Sequence, residues 1–304
     1  MKCSGLIQLI RLFFTGLVLL CLESCETDSI SDNVNTAREG IIAFTSGRDG
    51  NNEIYTMNAD GSGQTRITEN TAIDMSPDWS PDGQQLAFVS TRNGNQDIFI
   101  MNSDGSDPIC LTSNSHGFDG YPSWSPDGTR ILFTSDRNGN WDVYIMNSDG
   151  TNVQQLTDRK GVTEAGNFSP DGISIVFSSG SSFNEQEIYS MNTDGSNLRQ
   201  ITNNAVPDIL PKWSSDGNTI VFSSTDNHGT EGIFLIDADG NNRRPLVQTS
   251  TNDFDPCWSP NCEYVAFQAT YGNNDDEVAI VRISNGNIIR LTNSAGWDST
   301  PAWK

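Results

Sequence analysis

Five aspartates stand five residues ahead of a recurring tryptophan: Asp74, Asp119, Asp208, Asp253 and Asp298 precede Trp79, Trp124, Trp213, Trp258 and Trp303. At the equivalent place ahead of Phe168 the chain has Thr163, with Glu164 beside it. Carboxylates spaced evenly around an axis would create a strong negative field at one opening. They could hold Ca2+, a hard cation that takes oxygen ligands, or receive a Lys or Arg side chain of a basic peptide. Repetition in every unit fits a plainer role equally well, in which each Asp bonds the backbone N–H groups of its own loop. Asp74, Asp119, Glu164, Asp208, Asp253 and Asp298 are thus the candidate ligand or partner site. His116 and His228, the two histidines of the chain, are the other groups that could ligate a metal.

The elements that must position these residues follow from a repeat. Trp-Ser-Pro-Asp-Gly, or a close variant, begins at Trp79, Trp124, Phe168, Trp213 and Trp258, and Trp303 stands where a sixth copy would start. Three signals travel with it: a strand of the type Ile42-Ala-Phe-Thr-Ser46, a strand and turn of the type Ile54-Tyr-Thr-Met-Asn-Ala-Asp-Gly61, and a short strand of the type Arg66-Ile-Thr68. Pro sets φ at the second turn position and Asp-Gly supplies the residues that tolerate positive φ, so Ser80–Gly83 reads as a hairpin turn. Each unit therefore has four antiparallel strands. One such sheet cannot bury both faces, whereas six packed face to face can, and the expected fold is an all-β, six-bladed β-propeller over residues 37–304. The first unit has no Trp strand before it, and the chain ends in Thr300-Pro-Ala-Trp-Lys304. The C-terminal strand is expected to complete the first blade and close the ring.

The order Trp-Ser-Pro-Asp-Gly, Ile-x-Phe-x-Ser, Arg-x-Gly-Asn-x-Asp-Ile-Tyr, Met-Asn-x-Asp-Gly and Leu-Thr resembles the repeat of TolB-type propellers. The resemblance covers about residues 37–304 and implies a ring used for binding. Similar blades occur in the periplasmic protein TolB, after an α/β domain, and in prolyl-oligopeptidase-like peptidases, beside an α/β-hydrolase domain. The tether preceding the repeats here leaves no room for the first, and no hydrolase segment is recognisable, so a stand-alone propeller is expected. In such folds ligands meet the central channel on the face that carries the loops between blades, where the Asp positions, His116 and His228 all fall. The second-to-third strand loops share that face. Asp136–Asp142 faintly resembles a calcium loop but has no bidentate Glu at the right distance. Arg48, Arg92 and Arg137 in these loops are expected to bridge to a neighbouring blade. Gly180–Glu187, Asp226–Glu231 and Tyr271–Glu277 depart from the pattern, and partner specificity is expected there.

Residues 1–24 read as a signal peptide, with Lys2 and Arg11 beside the apolar run Leu12–Leu22. Leu22-Glu-Ser-Cys25 resembles a lipobox, in which Cys25 would carry the lipid, and residues 25–36 read as a polar tether. Without residues 1–24 the chain has 15 basic and 38 acidic residues. That balance opposes binding to nucleic acid or to an anionic lipid surface and favours cations or basic protein surfaces. Cys257 and Cys262 flank a turn and could form a disulfide; no Cys/His spacing suggests zinc. The reading is a monomeric, non-enzymatic, lipid-anchored protein of the cell envelope, outer-membrane anchored and facing the periplasm or the surface. It would bind a protein or peptide with a basic segment and touch the membrane only through its lipid. The alternatives are a metal-assisted carbohydrate lyase or hydrolase using His116, His228 and nearby carboxylates, and a surface glycan binder using Trp141, Trp297 or Tyr271. The enzyme reading has no Gly-x-Ser-x-Gly elbow, and pectic-sugar lyases of this shape need more histidines.

Overall fold

The computed structural model describes residues 39–113, 117–225, 229–272 and 275–304. The expected signal segment, Cys25, the tether, His116 and His228 lie outside the described residues. The described residues form six four-stranded antiparallel sheets. The innermost strands are Asp74–Trp79, Asp119–Trp124, Val162–Phe168, Asp208–Trp213, Asp253–Trp258 and Asp298–Trp303. The last of these pairs antiparallel with Ile41–Ser46, setting Trp303 opposite Ile42 and Asp298 opposite Ser46. The ring is therefore closed within blade one, as the repeat register requires.

The core follows from the Ile-x-Phe strands. Phe44, Phe88, Phe133, Phe177, Phe222 and Phe267 are the largest fully buried side chains, one per blade. Core clusters join adjacent blades: Ala43 and Ile54 of blade one and Ala302 of its closing strand pack with Trp79, Leu86, Phe88 and Phe99 of blade two. Each sheet thus buries its faces against its neighbours. The Thr of each Leu-Thr phrase has a defined task, because the Oγ1 of Thr68, Thr112, Thr157, Thr202 and Thr292 accepts the N–H of Ile54, Ile98, Val143, Ile188 and Val278. In the Asn-x-Asp-Gly turn of blade two, glycine is required by close approach as well as by positive φ. A Cβ on Gly105 (φ +87) would lie 2.2 Å from the carbonyl oxygen of Ile67 in the preceding blade.

The Ser-Pro-Asp-Gly turns close on themselves: Gly83 donates to the Ser80 carbonyl at 2.8 Å, and Gln85 donates to Ser80 Oγ at 2.9 Å. Blade six has Cys262 at the glycine position, held at φ +57. Cys257 and Cys262, which the sequence left open as a disulfide, are not bridged; Cys110, Cys257 and Cys262 are free thiols. Cys257 is buried on the inner strand, whereas the left-handed backbone turns Cys262 Sγ toward Ser215 Oγ of the preceding blade, 2.9 Å away. Cys262→Gly should relieve the left-handed strain at a smaller cost in chain entropy, raising stability by about 0.5–1 kcal/mol. The urea midpoint reads this, and an unchanged or lower midpoint would refute it.

All six inner strands carry a bulge at one place, between Met75 and Asp78, for example, or between Phe254 and Cys257. In five of them the residue before the strand proline has positive φ: Ser76, Tyr121, Leu210, Asp255 and Thr300. Pro removes a ladder donor and the bulge unpairs its neighbour, so the strand bends there. The same five residues line the narrow waist of the central channel.

Candidate functional site at the channel mouth

The repeated aspartates do not form an open ring. Asp74, Asp119, Asp208 and Asp298 are fully buried, and each meets a guanidinium: Arg92 at 2.8 Å, Arg137 at 2.9 Å, Arg243 at 3.2 Å and Arg48 at 2.8 Å. The arginine comes from the same blade, not from a neighbouring one as expected from the loop sequences. It lies over the aromatics of the second and third strands, Arg92 over Phe88 and Phe99, Arg137 over Phe133 and Tyr144. Asp, Arg and two aromatic rings thus make one closed unit in each of four blades, with the charge neutralised and the guanidinium face covered. Neither these aspartates nor Asp253 or Glu164 line the mouth cavity. Among the described residues no group of three His, Cys, Asp or Glu side chains is placed to hold a metal ion.

Two blades leave their carboxylate without an arginine. Asp253 in blade six accepts from Thr249 Oγ1 at 2.7 Å, and burial pushes its pKa up to about 6. In blade four Thr163 bonds Ser179 Oγ at 2.9 Å, and Glu164 accepts from Gln186 Nε2 at 3.0 Å. Ser181 stands there at the offset where Arg48, Arg92 and Arg137 stand in their loops.

What lines the channel is the variable part of the inner strands. The mouth on the loop face is a cavity of about 530 Å3 bounded chiefly by Met75, Tyr121, Leu210, Phe254, Trp297 and the carboxylates Asp255 and Asp276, with no Lys or Arg among its lining residues. Asp276 is held by Thr270 Oγ1 at 2.7 Å and Gln268 Nε2 at 2.9 Å. Below it the waist contains Lys212, and beyond the waist a second cavity of about 420 Å3 is walled by Trp79, Trp124, Trp213, Trp258 and Trp303. Asp78 reaches across a blade boundary there to accept the Trp124 N–H at 2.7 Å.

The interior charges are coupled. Burial raises the pKa of Asp78 and of Asp255 to about 6, partly offset in both by the Lys212 charge. Burial pushes the Cys257 thiol up to about 12. Burial and then the fields of Glu164 and Asp255 raise the Tyr121 phenol. A carboxyl whose folded pKa lies above its unfolded value near 4 binds its proton more tightly in the folded chain. Stability therefore grows as pH falls from above about 6 toward about 4, opposite to the usual salt-bridged carboxylate. Melting midpoints should rise between pH 7.5 and pH 5, and Asp78→Asn with Asp255→Asn should flatten that slope. An equally steep slope in the double variant would refute the assignment. Below about pH 4 the turn aspartates, such as Asp82 and Asp127, whose pKa values are lowered by their own turn hydrogen bonds, withdraw stability in the ordinary sense.

Sequence reasoning missed Tyr121, Asp255, Asp276, Lys212 and Asp78. The available signal lay in the residues on either side of the strand proline, where the repeat is not kept, and for Asp276 in its place in the divergent Tyr271–Glu277 stretch. Of the aromatics named for sugar stacking, Trp297 is 44% exposed and borders the mouth. Tyr271 is covered by Arg290, whose guanidinium carbon is 4.5 Å from the ring centroid. Trp141 packs between Phe118, at 4.5 Å between centroids, and Phe183, at 6.1 Å.

A family model described as the TolB beta propeller domain matches residues 39–112 and 109–304. The chain is 49% identical over 47 residues to the Tol-Pal system protein TolB of Geobacter sulfurreducens and 52% identical over 48 residues to that of Desulfosudis oleivorans. Each stretch is 16% of this chain and 11% of the relative, so the chain matches only a small part of the length of these proteins. The crystal structure of TolB from Acinetobacter baumannii superposes with a TM-score of 0.77 at 24% identity, over 88% of this chain and 67% of that one. At that identity the likeness establishes the fold.

Proposed function

Because the chain belongs to the TolB beta-propeller domain family, we propose that it is a non-enzymatic binding module of the cell envelope that takes a segment of a partner protein into its loop-face mouth. One observation carries this reading: the mouth cavity combines apolar and aromatic walls with Asp255 and Asp276 and has no basic lining residue. Apolar walls supply desolvation and contact area, and the two carboxylates, of which Asp255 feels the Lys212 charge at the waist below, steer a basic segment and fix its register. The formal charge of −22 adds a long-range field of the same sign. Export and lipidation at Cys25 rest on residues 1–25, and calcium at the mouth would need more oxygen ligands than Asp255 and Asp276 provide.

The paired aspartates are unsuitable for a test, since neutralising them would break the ion pairs and hydrogen bonds that hold the blades' own arginines. The appropriate variant is Asp255→Asn with Asp276→Asn. Crosslinking pull-down from envelope extracts should recover a partner with the wild-type chain and lose it with the folded double variant. Equal recovery by both would place the interface elsewhere.

A further inference from the structure

The mouth does not end at its rim. Tyr121, which lines the cavity, lies 6.2 Å from Phe118 between ring centroids; Phe118 lies 4.5 Å from Trp141, and Trp141 6.1 Å from Phe183. Four rings thus form a continuous aromatic track from the channel, across blade three, to the second-to-third strand loop of blade four. Tyr121, Phe118 and Trp141 are half-buried and Phe183 is 53% exposed, so none of the four residues is closed off from solvent.

The track is built by departures from the repeat. Blade three has Gly120 where the other inner strands carry side chains, and a Cβ there would lie 2.2 Å from Phe118 Cζ. The missing side chain is what lets the Phe118 ring fold inward toward Tyr121. In blade four the loop makes a short 3-10 turn, Phe183–Glu185, folded back on Gly180, where a Cβ would lie 2.3 Å from the Glu185 carbonyl oxygen. That turn presents Phe183 outward.

The chemistry of the occupant follows from the blades themselves. In blades one, two and three an arginine is held between aromatic rings and a carboxylate. At the mouth, rings and carboxylates recur, with Asp255 and Glu164 both acting on Tyr121, but no arginine lines the cavity. The nearby guanidiniums are committed elsewhere, Arg137 to Asp119 and Arg159 over Tyr189.

We propose that the track and mouth together bind an extended, arginine-containing peptide segment and prefer arginine to lysine. This rests on the mouth being a protein-binding site, and it adds the exit path and the residue read. A planar guanidinium can stack on a ring face while its edge hydrogen bonds a carboxylate; an ammonium cannot do both as well.

The test uses the full-length chain and fluorescein-labelled nonapeptides of Gly and Ser carrying three Arg, three Lys or three Glu, read by fluorescence anisotropy at 150 mM salt. The Arg peptide should bind about tenfold more tightly than the Lys peptide. Phe183→Ser and, separately, Trp141→Leu should bring the two together while leaving weak binding of both. Asp255→Asn with Asp276→Asn should weaken both. Equal affinity of the Arg and Lys peptides for the wild-type chain would overturn the arginine preference and leave the mouth reading standing. Binding unaffected by the Asp255/Asp276 change, or no preference over the Glu peptide, would overturn the mouth reading as well. Binding of maltohexaose with neither basic peptide bound would assign the track to a glycan and overturn both.

Discussion

A chain lacking Thr300–Lys304 should not fold cooperatively at 25 °C. The deletion removes most of the innermost strand of blade one, the strand that pairs Trp303 with Ile42 and Ala302 with Ala43. It removes the two backbone bonds between Lys304 and Ile41, each 3.0 Å, and the bond from Trp303 Nε1 to the Glu39 carbonyl. It also removes the clamp across the closure, where Lys304 Nζ donates to the Gly83 carbonyl at 2.8 Å and lies 3.9 Å from the centroid of the Trp79 ring. A large side chain is worth about 1.5–3 kcal/mol on burial and each hydrogen bond about 0.5–1.5 kcal/mol. Their sum approaches the about 5–15 kcal/mol by which a domain is stable. The larger effect is topological, because Thr45 and the face of blade two that packs on this strand would meet water. Circular dichroism melts decide the matter. A melting midpoint within a few degrees of the full chain would show that the ring does not depend on this closure. A circular permutant opened at Asn293, with the old termini joined by a flexible linker, carries blade one in unbroken sequence and should fold.

Arg137→Ala should cost about 3–5 kcal/mol, the usual consequence of stranding a buried charge. Asp119 is fully buried and pairs with Arg137 at 2.9 Å, and Arg137 Nε also donates to Ser135 Oγ at 2.9 Å. Removing the guanidinium also uncovers Phe133 and Tyr144, whose centroids lie 5.1 and 4.9 Å from it. For a domain of this size the loss lowers the melting midpoint by roughly 6–20 °C. Asp253→Asn is the matched control. That carboxyl has no arginine and its pKa is raised by burial, so the neutral amide should be tolerated within about 1 kcal/mol above pH 6. Similar small losses in both variants would mean that the Asp–Arg–aromatic units do not hold the blades, and would return the aspartates to consideration as binding groups.

The contrast between those two variants marks where sequence reading and structure part. The period of 44 or 45 residues, the Pro-Asp-Gly turns and the Ile-x-Phe strands are local signals, and each acts on φ or on burial within a few residues. From them the six blades, the four strands in each and the closure by Trp303 could be read directly. The regularity that made the fold legible misdirected the search for a site. The Asp recurs in five blades, and in four of them it is paired inside the blade: its partner is an Arg 18 residues on in blades two and three, 35 residues on in blade five, and at the other end of the chain in blade one. Nothing local reveals that pairing, since it depends on two strands lying side by side. The channel shows the converse. Tyr121, Lys212 and Asp255 occupy positions that the repeat leaves free, and a bulge with a positive-φ residue ahead of proline decides that they face the axis. Phe118, Trp141 and Phe183 belong to three different loops, and they share one track because face-to-face packing of blades three and four brings those loops together. Local conformational preference is written residue by residue, whereas a surface shared between blades exists only once the sheets have packed.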